Sequence, residues 1–266
     1  MCMIKLIASD MDGTLLDENS QVPVETYDLI RQLNDKGIHF AVSSGRRYDT
    51  LCEMFAPVKD EMDFVASNGA QVYVNGEMVD REVYSHASIL RLEKVVGMFD
   101  CLHLVLFDRT SSFLLADYEV YEPEIDKDLP NARRVYGTPK PTVNILKASV
   151  YCDNPKEIMD MSYALGRELS DDFVFAPSGS KWIDVMQKGV SKATGIQMVM
   201  DAHNIKPEDT MAFGDAMNDY EIMRMVGHPR AMGNARYAIK QIAELTIGDH
   251  RDQAVQAAMR QVLESL

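Results

Sequence analysis

Three observations predict an α/β protein with a Rossmann-like parallel-sheet core and an inserted α+β cap. The N-terminal region alternates apolar β runs with helical patterns, the rhythm of a parallel sheet with helices on both faces. From Gln71 onward the pair Asn75-Gly76 between two apolar runs breaks that rhythm with a hairpin signal. After Gly189 the alternation resumes.

In chain order, Ile4 to Ser9 reads as the first strand, and Tyr27, Ile30 and Leu33 lie at helical spacing between Pro23 and Lys36. Ile38 to Ser43 is a second strand, a helix starts near Arg46, and Phe64 to Ala66 is a short third strand. Val72 to Val74 and Met78-Val79 flank Asn75-Gly76 and form the predicted hairpin. The next stretch predicts a helix over Ser88 to Phe99, strands at Leu102 to Phe107, near Phe113 and over Val143 to Tyr151, a helix from Pro155 to Leu169, and strands at Phe173 to Ala176 and Trp182 to Met186. Beyond Gly189 come a helix carrying Ala193, Ile196 and Val199, a strand at Thr210 to Phe213, a helix over Tyr220 to Met225, a strand near Arg230 to Met232, and a closing helix. The expected domains are therefore 1–82 plus 189–266 for the core and 83–188 for the cap.

Composition excludes several classes. The 266 residues are 46% hydrophobic and 26% charged, as in globular proteins, and no apolar run approaches the roughly 20 residues that cross a bilayer. With no signal-peptide pattern before Asp10, a cytoplasmic location is expected. The net charge of −14 argues against nucleic acid or an anionic membrane as partner, since both would be repelled. Cys2, Cys52, Cys101 and Cys152 are widely spaced and indicate neither a disulfide framework nor a zinc site. The acidic stretch of Glu119, Glu122, Glu124, Asp126 and Asp128 is interrupted by apolar residues and reads as solvated surface.

Ligands of an open α/β sheet bind at the carboxyl ends of its strands, which directs attention to four places: Asp10 to Asp17, Ser43 to Arg46, Ser67 to Gly69, and Gly214 to Asp219. Asp10 and Asp12, one residue apart ahead of the turn-forming Gly13, offer a nucleophile and an acid/base for one phosphoryl group. A carboxylate attacking a phosphate dianion meets like-charge repulsion, so the site needs a cation. Magnesium suits it, with Asp10 and Asp215 as carboxylate ligands and a backbone carbonyl near Asp12 as a third. The hydroxyl of Ser44, the backbone around Gly45, and Lys192 are the candidate phosphoryl holders, with Ser43 a competitor for the hydroxyl role. Lys192 opens a helix, where a cation is disfavoured by the dipole unless an anion is bound there.

Together these residues resemble the haloacid dehalogenase superfamily, and within it the class IIB, Cof-like phosphatases. The matching motifs are Asp10-Met11-Asp12-Gly13-Thr14-Leu15, Ser44-Gly45-Arg46, Asn68-Gly69-Ala70, Lys192, and Gly214-Asp215-Ala216-Met217-Asn218-Asp219, all in the family's order. The resemblance implies a magnesium-dependent phosphatase acting on small phosphorylated metabolites, sugar phosphates foremost. Asp10 would be nucleophile and metal ligand, Asp12 general acid/base, and Ser44, Gly45, Arg46, Lys192 and Asn218 would bind substrate. Asp12, Asp215 and Asp219 would complete the metal site. A phosphomutase, or a non-catalytic protein that binds a phosphorylated ligand, is the alternative. Nothing in the sequence specifies an oligomeric state.

Overall fold

A computed structural model of the chain describes residues 3–79, 83–115, 125, 129, 132–137, 143–178 and 180–266. Cys2 and the acidic residues Glu119, Glu122, Glu124, Asp126 and Asp128 lie outside them. Two compact units result, Met1–Asp80 with Ser191–Leu266, and Arg81–Val190.

The first unit holds strands β1 (Leu6–Ser9), β2 (His39–Ser43), β3 (Asp63–Ala66), β4 (Gln71–Val74) and β5 (Glu77–Met78), with helices α1 (Val24–Asp35) and α2 (Tyr48–Met54) between them. The first strand is shorter than the predicted Ile4 to Ser9, and the helix expected near Arg46 starts at Tyr48. β3, β4 and β5 are antiparallel, joined at the second turn by Asn75 (φ 52°) and Gly76 (φ 79°), the backbone that an Asn-Gly hairpin requires. In the second unit lie α3 (His86–Val96), β6 (Leu102–Phe107), β7 (Ser112–Leu115), β8 (Arg133–Val135), β9 (Lys147–Cys152), α4 (Ile158–Leu169), β10 (Phe173–Ser178) and β11 (Trp182–Gln187). They form a six-stranded sheet in the order β10-β11-β9-β6-β7-β8, antiparallel except between β7 and β8, with α3 packed against α4. β9 begins four residues later than predicted, and β8 is too short to show periodicity.

The chain returns to the first unit with α5 (Lys192–His203), β12 (Thr210–Gly214), α6 (Tyr220–Met225), β13 (His228–Ala231), α7 (Tyr237–Ile242), β14 (Leu245–Thr246) and α8 (Ala254–Glu264). The eight-stranded sheet runs β14-β13-β12-β1-β2-β3-β4-β5, parallel from β14 to β3. From β1 the chain winds outward through β2 and β3, and from β12 it winds the other way through β13 and β14. Right-handed crossovers put the two sets of helices on opposite faces. Accordingly α1 packs with α8, while α6 packs with α5 and α7. Winding reverses between β1 and β12, which opens a crevice at their carboxyl ends. The apolar residues of these strands, among them Leu6, Ile7, Phe40, Val42, Val65 and Phe213, are buried in one core.

One glycine beside that crevice is required by its surroundings. Gly69 has φ 94°, and a Cβ there would lie 2.0 Å from the Ser191 carbonyl oxygen, just before Lys192. Gly37 has a similar φ of 73° but open space around it. Gly69→Ala is therefore expected to cost on the order of 3 kcal/mol, from disfavoured backbone and overlap together, against about 1 kcal/mol for Gly37→Ala. Urea denaturation of the two variants checks this; equal costs would mean that the contact with Ser191 yields freely.

Candidate active site

The site grows from the carboxyl ends of the two strands at the reversal. Ser9 of β1 pairs with Phe213 of β12, and Asp10 donates its backbone N–H to the Phe213 carbonyl at 3.1 Å. This pairing places Asp10 beside the 214–219 segment, about 200 residues away in sequence. The Asp10, Asp215 and Asp219 side chains each present a carboxylate oxygen within 4.8 Å of the other two. Asp10 is buried at 7% exposure and Asp219 at 2%. A Cβ on Gly13 would lie 2.7 Å from Asp215 Oδ2, so only glycine lets this turn of the 11–16 loop come so near.

Into this cluster projects Lys192, 1% exposed, whose Nζ donates to Asp10 Oδ1 at 2.5 Å and to Asp219 Oδ1 at 2.7 Å. It stands in the first turn of α5, where Ser191 and Thr194 form a reciprocal cap. The dipole penalty inferred for a lysine at this position is met by two carboxylates. Burial opposes its charge, but Asp10 and Asp219 more than offset this, and its pKa is raised. Asp219 is held on both sides, since its Oδ2 accepts the backbone N–H groups of Asp215 and Ala216, each at 3.1 Å.

Asp10 itself is pushed up to about 8, first by burial and then by Asp219, with Lys192 pulling the other way. Asp215 is raised by burial and Asp219, and the Thr14 hydroxyl donates to its Oδ1 at 3.2 Å. With all three ionised, the carboxylates against one ammonium leave two negative charges uncompensated, the charge of one divalent cation. An all-oxygen donor set fits a hard ion of the magnesium kind.

Asp12 takes a different direction. Its side chain is 57% exposed and gripped by both ends of the Arg46 fork, Nη2 to Oδ1 at 2.6 Å and Nε to Oδ2 at 3.0 Å. Arg46 also donates to Met54 Sδ at 3.3 Å. Ser44 is buried and its Oγ accepts the Arg46 backbone N–H at 3.1 Å. Ser43 is buried as well, and its Oγ has no hydrogen-bond partner among the described residues. Asn68 faces Gly45, where a Cβ would lie 3.3 Å from its amide nitrogen, and its Oδ1 receives the Asn218 amide at 3.5 Å. Ser67, Asn68 and Gly69 all have positive φ, a strained run of backbone beside the candidate site. The predicted residues thus form two neighbourhoods, Asp10, Asp215, Asp219 and Lys192 in one, and Asp12 with Arg46 in the other.

Three further residues hold the 11–16 loop and were not anticipated from the sequence. Asn234 Nδ2 donates to the Gly13 carbonyl at 2.8 Å, Gln256 Nε2 donates to that of Leu15 at 3.2 Å, and His250 Nδ1 lies 2.9 Å from that of Leu16. These carbonyls cannot all be satisfied within a loop that makes one wide turn, closed by Leu16 N–H to Met11 O at 3.0 Å.

Comparison with known proteins bears on the same residues. The family model of haloacid dehalogenase-like hydrolases matches residues 7–259. The chain belongs to that family. It is 27% identical over 279 residues to the 5-amino-6-(5-phospho-D-ribitylamino)uracil phosphatase YbjI of Escherichia coli, covering 98% of this chain and 97% of that one. To YitU of Bacillus subtilis, a phosphatase of the same name, it is 28% identical over 260 residues, 94% of each chain. The crystal structure of SMU.1108c from Streptococcus mutans superposes with a TM-score of 0.82 at 23% identity, covering 98% of this chain and 99% of that one, and shows the shared fold. The enzyme class expected from the motifs, a phosphoric monoester hydrolase, stands on these relatives. Among the described residues no helix is long and apolar enough to cross a membrane.

Proposed function

We propose that this haloacid dehalogenase-like enzyme is a magnesium-dependent phosphatase that hydrolyses phosphomonoesters of small metabolites, sugar and sugar-alcohol phosphates foremost, through an aspartyl phosphate on Asp10. The observation that carries the reading is the buried cluster of Asp10, Asp215, Asp219 and Lys192 at the strand reversal, with its excess of two negative charges. The ribityl phosphate in the name of the YbjI relative supports the substrate class.

Asp10 and Asp215 would hold the metal, with Asp219 supporting it through Lys192 and the backbone of 215–216. Bound magnesium would neutralise the repulsion between a carboxylate nucleophile and a phosphate dianion. An oxygen of Asp10 attacks phosphorus in line as the bond to the ester oxygen breaks, and Asp12 gives its proton to the departing alcohol. Water then attacks the phosphorus of the aspartyl phosphate, Asp12 takes a proton from it, and inorganic phosphate leaves with Asp10 restored. Lys192 steadies the charge on the phosphoryl oxygens, as do the Ser44 hydroxyl and the backbone at Gly45, with Asn218 beside them.

Arg46 has a part in both proton transfers. Its fork occupies both carboxylate oxygens of Asp12. The acid role requires the fork to loosen, and an arriving phosphate dianion gives the guanidinium another anion to face.

The test is phosphate release from sugar phosphates, sugar-alcohol phosphates, nucleotides and a chromogenic phosphomonoester, with magnesium and with chelator. Release with magnesium that falls to background with chelator is the expected result. No release from any compound would overturn the proposal, and a sugar phosphate isomerised without free phosphate would replace it with a mutase.

A further inference from the structure

The opposite edge of the first unit's sheet carries a second cluster of metal-ligating groups. His39 opens β2, Asp63 opens β3 and His203 closes α5, and each offers a ligand atom within 4.8 Å of the other two. β2 runs from His39 to Ser43, so at the usual rise the cluster lies roughly 13 Å from the strand end next to the candidate active site. His203 Nε2 is 2.7 Å from Asp63 Oδ2, and the His39 ring stacks on that of His203 with centroids 3.7 Å apart.

We propose that His39, Asp63 and His203 form a second metal site, for a divalent transition ion such as Zn2+, that ties β2, β3 and α5 together. Two imidazoles and a carboxylate are a donor set for such ions and a poor one for magnesium, which prefers oxygen. All three donors stand at the ends of regular elements, so their positions are set by the fold. The backbone N–H of Asn75 donates to Asp63 Oδ1 at 3.0 Å and fixes the carboxylate from behind, leaving Oδ2 for the ion. The ring nitrogens of His39 have no hydrogen-bond partner among the described residues, so a lone pair is available to a metal.

An ion bound here would replace the hydrogen bond between His203 and Asp63. Their atoms would part from 2.7 Å to roughly 3.3 Å, as two ligands on a tetrahedral ion require, and the stacked rings would have to rotate to converge. Water would fill the fourth position.

Zinc uptake by the full chain, measured by equilibrium dialysis under saturating magnesium, tests the site without reference to turnover. The native protein is expected to take up one equivalent that His39→Phe, which keeps a stacked ring, and Asp63→Asn both lose. Zinc should also raise the melting temperature of the native protein and leave that of His39→Phe unmoved. Zinc held at the Asp10 cluster would survive both substitutions. Undiminished uptake by either variant, or none by the native protein, overturns the proposal.

Discussion

Asp10→Asn is expected to lower phosphatase turnover by a factor on the order of 10^5 or more, the scale seen when a nucleophile is removed and the rest of a site remains. Asparagine has the same shape but cannot form the aspartyl phosphate. The same substitution should raise stability in the absence of metal, because burial and Asp219 push Asp10 up to about 8 from its ordinary 3.8. A carboxylate with a raised folded pKa binds its proton more tightly in the folded state. Its contribution to stability is present at low pH and is lost as pH climbs from about 4 through about 8. The variant carries no such loss, and Lys192 keeps Asp219 as its partner at 2.7 Å. In chelator its melting temperature should exceed that of the native protein by a margin that widens over that pH window, and magnesium should narrow the margin by stabilising the native protein alone. A variant that retains substantial turnover would remove Asp10 from the mechanism; one that melts below the native protein in chelator at every pH would mean that its carboxylate is compensated within the fold.

The divided role proposed for Asp10, reactive and destabilising, separates what could be read along the chain from what could not. The strand-end rule picked out Asp10, Ser44 and Asp215 because a parallel sheet gathers the carboxyl ends of its strands, wherever they fall in sequence, and Lys192 was marked by its unfavourable place at a helix start. The Asn75-Gly76 turn was legible because its backbone demands those residue types. The Arg46 fork on Asp12 was not, since it depends on side-chain directions across 34 positions. Nor were Asn234, His250 and Gln256, which reach the 11–16 loop from more than 200 residues away to satisfy backbone carbonyls that no sequence pattern marks. α7 and β14, with six and two residues, are too short for a period to register. The His39, Asp63 and His203 cluster escaped for a related reason: its members belong to a strand start, another strand start and a helix end, and only the sheet's packing brings them together.

Lys192→Met is the substitution expected to damage the fold most. Methionine fills similar space without charge, so Asp10 and Asp219 would remain buried beside Asp215 with no cation among them. Breaking a buried ion pair from one side typically costs about 3–5 kcal/mol, because the partner's charge is left in a poorly solvating interior. The pH dependence has a definite sign. The pKa of Lys192 is raised in the folded state, so its stabilisation is complete below the unfolded value of 10.5 and is lost only as pH rises through the folded one. Across pH 5 to 9 the native protein therefore keeps the whole contribution. The variant loses most at the alkaline end of that range, where Asp10 is ionised, and recovers as pH falls and Asp10 takes up a proton. Magnesium should restore part of the stability, since a divalent ion also neutralises the carboxylates, but turnover should stay about 10^2–10^3-fold down because the donor to the phosphoryl oxygens is gone. Urea denaturation at pH 5.5 and 8.5, with and without magnesium, separates the two effects. Native stability for Lys192→Met at pH 8.5 in chelator would show that water reaches the cluster and that the lysine serves the substrate alone.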